Sequence, residues 1–170
     1  INLEVGGKVN GIPQAGVRIG VRKELQELLS ILNKALDAIP VEERLVMAQK
    51  WVPHATAESA SSQRISLTNI EKKWIKENKV KVGVEEWAPV IFSNTGKDID
   101  GISGDILKII VKKTGLKIEI TNDLWDTLLM GLKNKTIDLL PATYYTDERA
   151  TYGVYSPAYY KMLDYIYVKE

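Results

Sequence analysis

Hydrophobic positions along this chain recur with two different periods. Val17, Ile19 and Val21 alternate with polar or small residues, as do Val80, Val82 and Val84, which is the pattern of a buried or half-buried strand. Leu25, Leu28, Leu29, Leu32, Leu36 and Ile39 instead recur at helical spacing and predict an amphipathic helix over 24–38. Pro40 fits the first turn of a second helix running to about Trp51, with Glu42 and Glu43 at its positive end. Further on, Thr68 and Glu71 have the spacing of a capping box and open a short helix through Ile75. A helix is predicted over 104–114, stopped by Gly115, and another over 124–134, capped by Asn122 or Asp123. Strands are predicted over 80–84, 117–121, 137–141 and 162–168.

Strands alternating with helices imply βαβ units, so the expected class is α/β, a mainly parallel sheet flanked by helices. Ligands of such sheets bind beyond the carboxyl ends of the strands. Trp87, Thr143–Thr146 and Arg149 fall at those ends.

The periodicity lapses over residues 53–66, a small, polar stretch with the composition of a linker. It separates a first block, 1–52, from a second, 67–170. The first block reads as strand–helix–helix, too little to enclose a core of its own. The opening residues Ile1-Asn-Leu-Glu-Val-Gly-Gly read as the middle of a longer sequence, so the chain is expected to be a fragment.

Composition narrows the functional classes. Lys and Arg number 23 against 22 Asp and Glu, so no bulk charge points to nucleic acid or an anionic membrane. With no cysteine there is neither a disulfide framework nor thiol chemistry. No apolar run approaches the ~18 residues of a membrane helix. His54 stands alone, without a second histidine or a cysteine to complete a metal site, so no metal and no cofactor are expected. Gly101-x-x-Gly104 lacks the companions of a nucleotide loop. Glu85 and Glu86 are adjacent; on an extended segment their side chains face opposite ways and would not converge on one substrate as an acid–base pair.

Positive chemistry is concentrated in Asp138-Leu-Leu-Pro-Ala-Thr-Tyr-Tyr-Thr-Asp-Glu-Arg149 and in the turn Tyr155-Ser-Pro-Ala-Tyr-Tyr160. A strand end carrying hydroxyls and a guanidinium suits a carboxylate, which Arg149 would hold through two parallel hydrogen bonds. Thr143 and Thr146 read either as turn and cap residues or as ligand donors, and Thr146 as both. Aromatic rings nearby would cover the apolar part of a small ligand. Asp105 reads as a first-turn helix residue, and Tyr159 and Tyr160 as packing residues.

In order and spacing, the motifs Leu-Thr-x-x-Glu-Lys-x-Trp-Ile at 67–75, Val-Lys-Val-Gly-Val at 80–84 and Trp-x-Pro at 87–89 resemble one family. Asp-Gly-Ile-Ser-Gly-Asp-Ile-Leu at 100–107, Lys-Lys-Thr-Gly-Leu-Lys at 112–117, Leu-Leu-Pro-Ala-x-x-x-Thr-x-Glu-Arg at 139–149 and Ser-Pro-x-Tyr at 156–159 continue the match. Together they resemble the first lobe of a type II periplasmic solute-binding (Venus flytrap) domain, especially the tandem sensory domains of bacterial hybrid histidine kinases. Residues 17–51 resemble the strand–helix–helix with which such a domain ends.

The resemblance implies that 1–52 is the tail of one binding domain and 67–170 the incomplete first lobe of the next. It implies a small polar ligand, amino-acid-like and carboxylate-bearing, held by Arg149, Thr146, Thr143, Trp87 and Tyr144. It also implies an extracytoplasmic part of an inner-membrane sensor kinase, non-catalytic in itself. Tyr144 and Tyr145 stand where many family members carry smaller residues, which narrows or partly fills the pocket. A regulatory domain of a lytic transglycosylase, a dehydratase of the same fold and a transporter-associated binding protein are the other functions the resemblance admits. An unpaired helix face and an open sheet edge favour docking of 17–52 onto the second block, within a chain or by exchange between two chains of a homodimer.

Overall fold

The computed structural model describes residues 3–8, 16–51, 65–161 and 165–169. Residues 52–64 lie outside it, and with them His54 and most of the expected linker.

Strands β1 (Leu3–Lys8) and β2 (Gly16–Arg22) are followed by helices α1 (Gln26–Asp37) and α2 (Val41–Trp51). The second block runs α3 (Asn69–Glu77), β3 (Val80–Val84), α4 (Ile102–Thr114), β4 (Ile118–Asn122), α5 (Trp125–Lys133), β5 (Leu139–Thr143) and α6 (Asp147–Ala150). It closes with β6 (Gly153–Tyr155), β7 (Tyr160–Lys161) and β8 (Tyr165–Lys169).

A six-stranded sheet has the order β4-β3-β5-β2-β6, with β7 also paired to β2. Strand β3 is parallel to β4 and β5, whereas β2 is antiparallel to β5, β6 and β7. All the strands therefore run one way except β2. The sheet is mainly parallel, as expected, and its reversed strand comes from the first block.

Alternation along the strands divides the core. Val80, Val82 and Val84 belong to the larger cluster, which includes Leu28, Ile31, Leu32 and Leu36 of α1 and Ile106, Leu107 and Ile110 of α4. On the other face Leu140 joins Leu128 and Leu132 of α5 and Ile137 in a second cluster. Gly83 allows that approach: a Cβ there would lie 2.8 Å from Leu140 and 2.9 Å from Leu128. The sheet is thus covered on both faces, as a largely parallel sheet requires.

The capping box of α3 is present, with Thr68 accepting from Glu71 N and Glu71 accepting from Thr68 N. Gly115 ends α4 in the left-handed region at φ 76°. Three expectations are corrected. The strand placed over 162–168 is β8, whose partner is β1 in a separate two-stranded ribbon rather than the main sheet. The N-cap of α5 is Leu124, and Asp123 Oδ1 accepts the Leu124 amide rather than capping the helix. Helix α4 also starts earlier than expected, at Ile102, because Gly101 turns the chain at φ 91°.

Candidate functional site

Three connections leave the carboxyl ends of parallel strands and meet in one cleft. Glu85, Glu86 and Trp87 follow β3; Trp125 opens α5 after β4; Ala142 and Thr143 end β5, with Tyr144 and Arg149 beyond. These residues line a cleft of about 350 Å³, at the small end of the range for small-molecule sites.

Each wall is held from behind. The segment after β3 folds back so that Trp87 N donates to Ile91 O at 2.8 Å, while Ile102 N and Ser103 N, at the start of α4, donate to Pro89 O and Val90 O. The Ala88–Pro89 peptide is cis. Gly101 makes this approach feasible, because a Cβ there would stand 2.7 Å from both the Pro89 and Val90 carbonyl oxygens. Half-buried Tyr159 then joins α4 to β5: its hydroxyl donates to Pro141 O at 2.7 Å and lies 2.7 Å from Ser103 Oγ. Tyr159 is a packing residue, as expected, and Tyr160 is half-buried on β7.

Arg149 is fixed from two sides. Its NH1 donates to Tyr144 O at 3.1 Å, and its guanidinium carbon lies 5.1 Å from the Trp125 ring centre. That leaves further guanidinium donors for a ligand. Trp87 and Tyr144 make an edge contact, ring centres 5.6 Å apart. Thr143 lines the cleft but is itself buried, and its hydroxyl donates to Tyr144 O at 3.3 Å. Thr146 serves as N-cap of the short helix α6, accepting from Arg149 N at 3.2 Å, and is not among the cleft-lining residues. Four of the five residues expected from sequence, Arg149, Thr143, Trp87 and Tyr144, thus come together, and Thr146 acts through the helix that carries Arg149.

Three contributors were missed. Trp125 reads in sequence as one more apolar residue of α5, yet it stacks on Arg149. Glu85 and Glu86 were expected to diverge; both line the cleft, because the chain turns immediately after β3 and the two-residue alternation no longer applies. Burial pushes the Glu85 carboxyl above its usual range, and the Arg149 charge partly offsets this. Tyr155 stands behind the site, 5.5 Å from Tyr145 in an edge contact. Its phenol is pushed up to about 12 by burial, with Tyr152 adding to the effect and Arg149 opposing it. Asp105 is not among the cleft-lining residues and binds α2 instead.

The profile of bacterial extracellular solute-binding proteins, family 3, matches residues 80–170. The chain belongs to this family. It is 28% identical over 156 residues to the virulence sensor protein BvgS of Bordetella pertussis, covering 87% of this chain and 12% of that protein. The sensor protein EvgS of Escherichia coli O157:H7 is 29% identical over 144 residues, covering 81% of this chain and 12% of EvgS. The chain therefore spans about an eighth of the length of these relatives. Among solved structures, a phosphate-binding protein of a phosphate ABC transporter from Streptococcus pneumoniae TIGR4 aligns with TM-score 0.46 and 14% identity. That alignment covers 91% of this chain and 52% of the other. All the cleft-lining residues of this family-3 solute-binding domain lie within the matched span. Among the described residues no helix is long and apolar enough to cross a membrane.

Proposed function

We propose that this family-3 domain is a non-catalytic ligand-sensing module of a membrane-anchored sensor kinase, and that its ligand is a small zwitterion. The observation that carries the ligand class is the charge of the cleft. One guanidinium, already oriented by Trp125 and the Tyr144 carbonyl, faces two carboxylates, Glu85 and Glu86. A ligand carboxylate would take the remaining donors of Arg149, while a ligand ammonium would sit toward Glu85. Trp87 and Tyr144 would cover its apolar part.

Residues 1–52 are read as the tail of a preceding binding domain and 67–170 as the first lobe of the next. A second lobe would supply the facing wall, and closure of the two would move an open–closed equilibrium that the rest of the receptor reads. A homodimer exchanging the first block would keep the same contacts. Alone, the chain is expected to bind weakly, since one wall cannot enclose a ligand.

Calorimetry on the intact receptor region tests the ligand class, using amino acids, their amides and the corresponding amines. Amino acids should bind and both analogues should lose at least ~10-fold, about 1.4 kcal/mol. Equal affinity for an amine and its parent amino acid would remove the role given to Arg149.

A further inference from the structure

Strand β2 and helices α1 and α2 of the first block each meet one carboxylate of the second. On β2, Arg22 pairs with Asp138 at 2.9 Å. On α1, Lys34 Nζ lies 2.8 Å from Glu71 Oε2, and Ser30 Oγ donates to the other oxygen at 2.8 Å. On α2, Lys50 Nζ and Trp51 Nε1 both reach Asp105 Oδ2 at 2.9 Å. In all three pairs the cation comes from residues 16–51 and the acid from the second block.

The acids are held by their own block. Asp138 Oδ2 accepts the Lys81 amide at 2.9 Å. Glu71 accepts the Thr68 amide at 2.7 Å as part of the α3 capping box. Asp105 has Lys108 at 3.6 Å. Their side chains are only 12%, 5% and 13% exposed, whereas those of Arg22, Lys34 and Lys50 are 19%, 36% and 57% exposed. Fixed acids in a partly desolvated face and adaptable cations on the incoming segment make a preorganised receptacle. Burial of Leu28 and Leu32 supplies affinity to any amphipathic helix, but it does not tell one such helix from another. Charges placed at three separated points do, because a segment lacking the cations leaves three partly buried carboxylates without them.

We propose that Asp138, Glu71 and Asp105 form a three-point charge code by which this lobe selects the strand–helix–helix that completes it, from its own chain or from a second copy. The inference does not depend on the ligand assigned to the cleft.

Charge reversal in the whole chain tests it. One variant reverses the bases (Lys34→Glu with Lys50→Glu), another the acids (Glu71→Lys with Asp105→Lys), and a third carries all four changes. Each half-reversed variant should lose about 5 °C or more in Tm, a size at which ~1 kcal/mol corresponds to roughly 2–4 °C. The four-fold variant should regain at least half of the loss shown by the acid-reversed chain. Lys72→Glu, on exposed α3 surface, should change Tm little.

The two half-reversed chains, unfolded and refolded together, should give a species of twice the 19.1 kDa chain mass. In that species every block again meets its complement. If the acid-reversed chain does not fold alone, its recovery in the four-fold chain and in the mixture remains the readout. Absence of recovery in both overturns the code. Recovery in the four-fold chain alone overturns acceptance of a second copy.

Discussion

The guanidinium of Arg149 lies 5.1 Å from the ring centre of Trp125, the first residue of α5. Two residues 24 positions apart in the sequence are thereby joined, the indole face holding the cation whose remaining donors would meet the ligand proposed for the cleft. Arg149→Lys keeps the charge but loses the planar fork, and should weaken ligand binding by the intact receptor about 10- to 100-fold. Trp125→Leu removes only the stacking and should cost about 3- to 30-fold. Titration calorimetry checks both; full affinity in Arg149→Lys would show that no bidentate contact is made.

Glu85 adds a pH dependence. Burial raises its carboxyl above the ordinary range while Arg149 opposes the shift. A ligand ammonium needs the ionised form, so affinity should fall as pH drops through that raised value, earlier than for an exposed carboxylate. Glu85→Gln should flatten this limb of the affinity profile. An unchanged profile would place the ligand cation elsewhere.

Glu71 produces an acid limb in stability rather than in binding. Burial would raise its pKa, but hydrogen bonds from Lys34, from the Thr68 amide and from Ser30 outweigh burial and hold it at about 2. A carboxyl depressed in the folded state contributes stability above its unfolded pKa of ~4.3, and that contribution is lost as pH falls toward 2. Thermal melts should show Glu71→Gln less stable than wild type at neutral pH, with the gap closing between about pH 4.5 and 2. A gap independent of pH would mean that the charge contributes nothing.

Leu28 and Leu32 of α1 are fully buried. Either one replaced by Ala should cost about 2–5 kcal/mol in urea unfolding, as for other buried leucines. A loss below ~0.5 kcal/mol for both would mean that the first block does not rest on the sheet.

Gly101 combines φ 91° and ψ −179° with two carbonyl oxygens 2.7 Å from a would-be Cβ. Gly101→Ala should destabilise by at least ~1–3 kcal/mol, the cost of a side chain in that glycine-only region. It should also displace the Trp87 loop, visible as a change in tryptophan fluorescence. A variant with wild-type stability and emission would contradict this placement.

Much of the fold was legible because local signals dominate where they occur. The alternation of Val80, Val82 and Val84, the capping box at Thr68 and Glu71, and Gly115 each act through neighbours a few residues away. Those elements appear where their patterns put them. The site was legible in part for the same reason: Thr143, Tyr144 and Arg149 follow one strand end, so a short segment carries them all. Trp125 and Glu85 escaped because their roles depend on which strands lie side by side. Nothing in the sequence near Trp125 says that β4 and β5 flank β3 and bring its ring beneath Arg149.

The pattern of this chain by itself determined its α/β class, its helices, most of its strands and the end of the sheet at which the cleft opens. These follow from propensity, capping and periodicity, which are short-range. Only the tertiary structure decided that the first block supplies the reversed strand β2, that β8 leaves the sheet to pair with β1, and that three carboxylates each receive one element of that block. Those outcomes rest on contacts between distant residues, where burial and charge pairing are settled by topology rather than by neighbours in sequence.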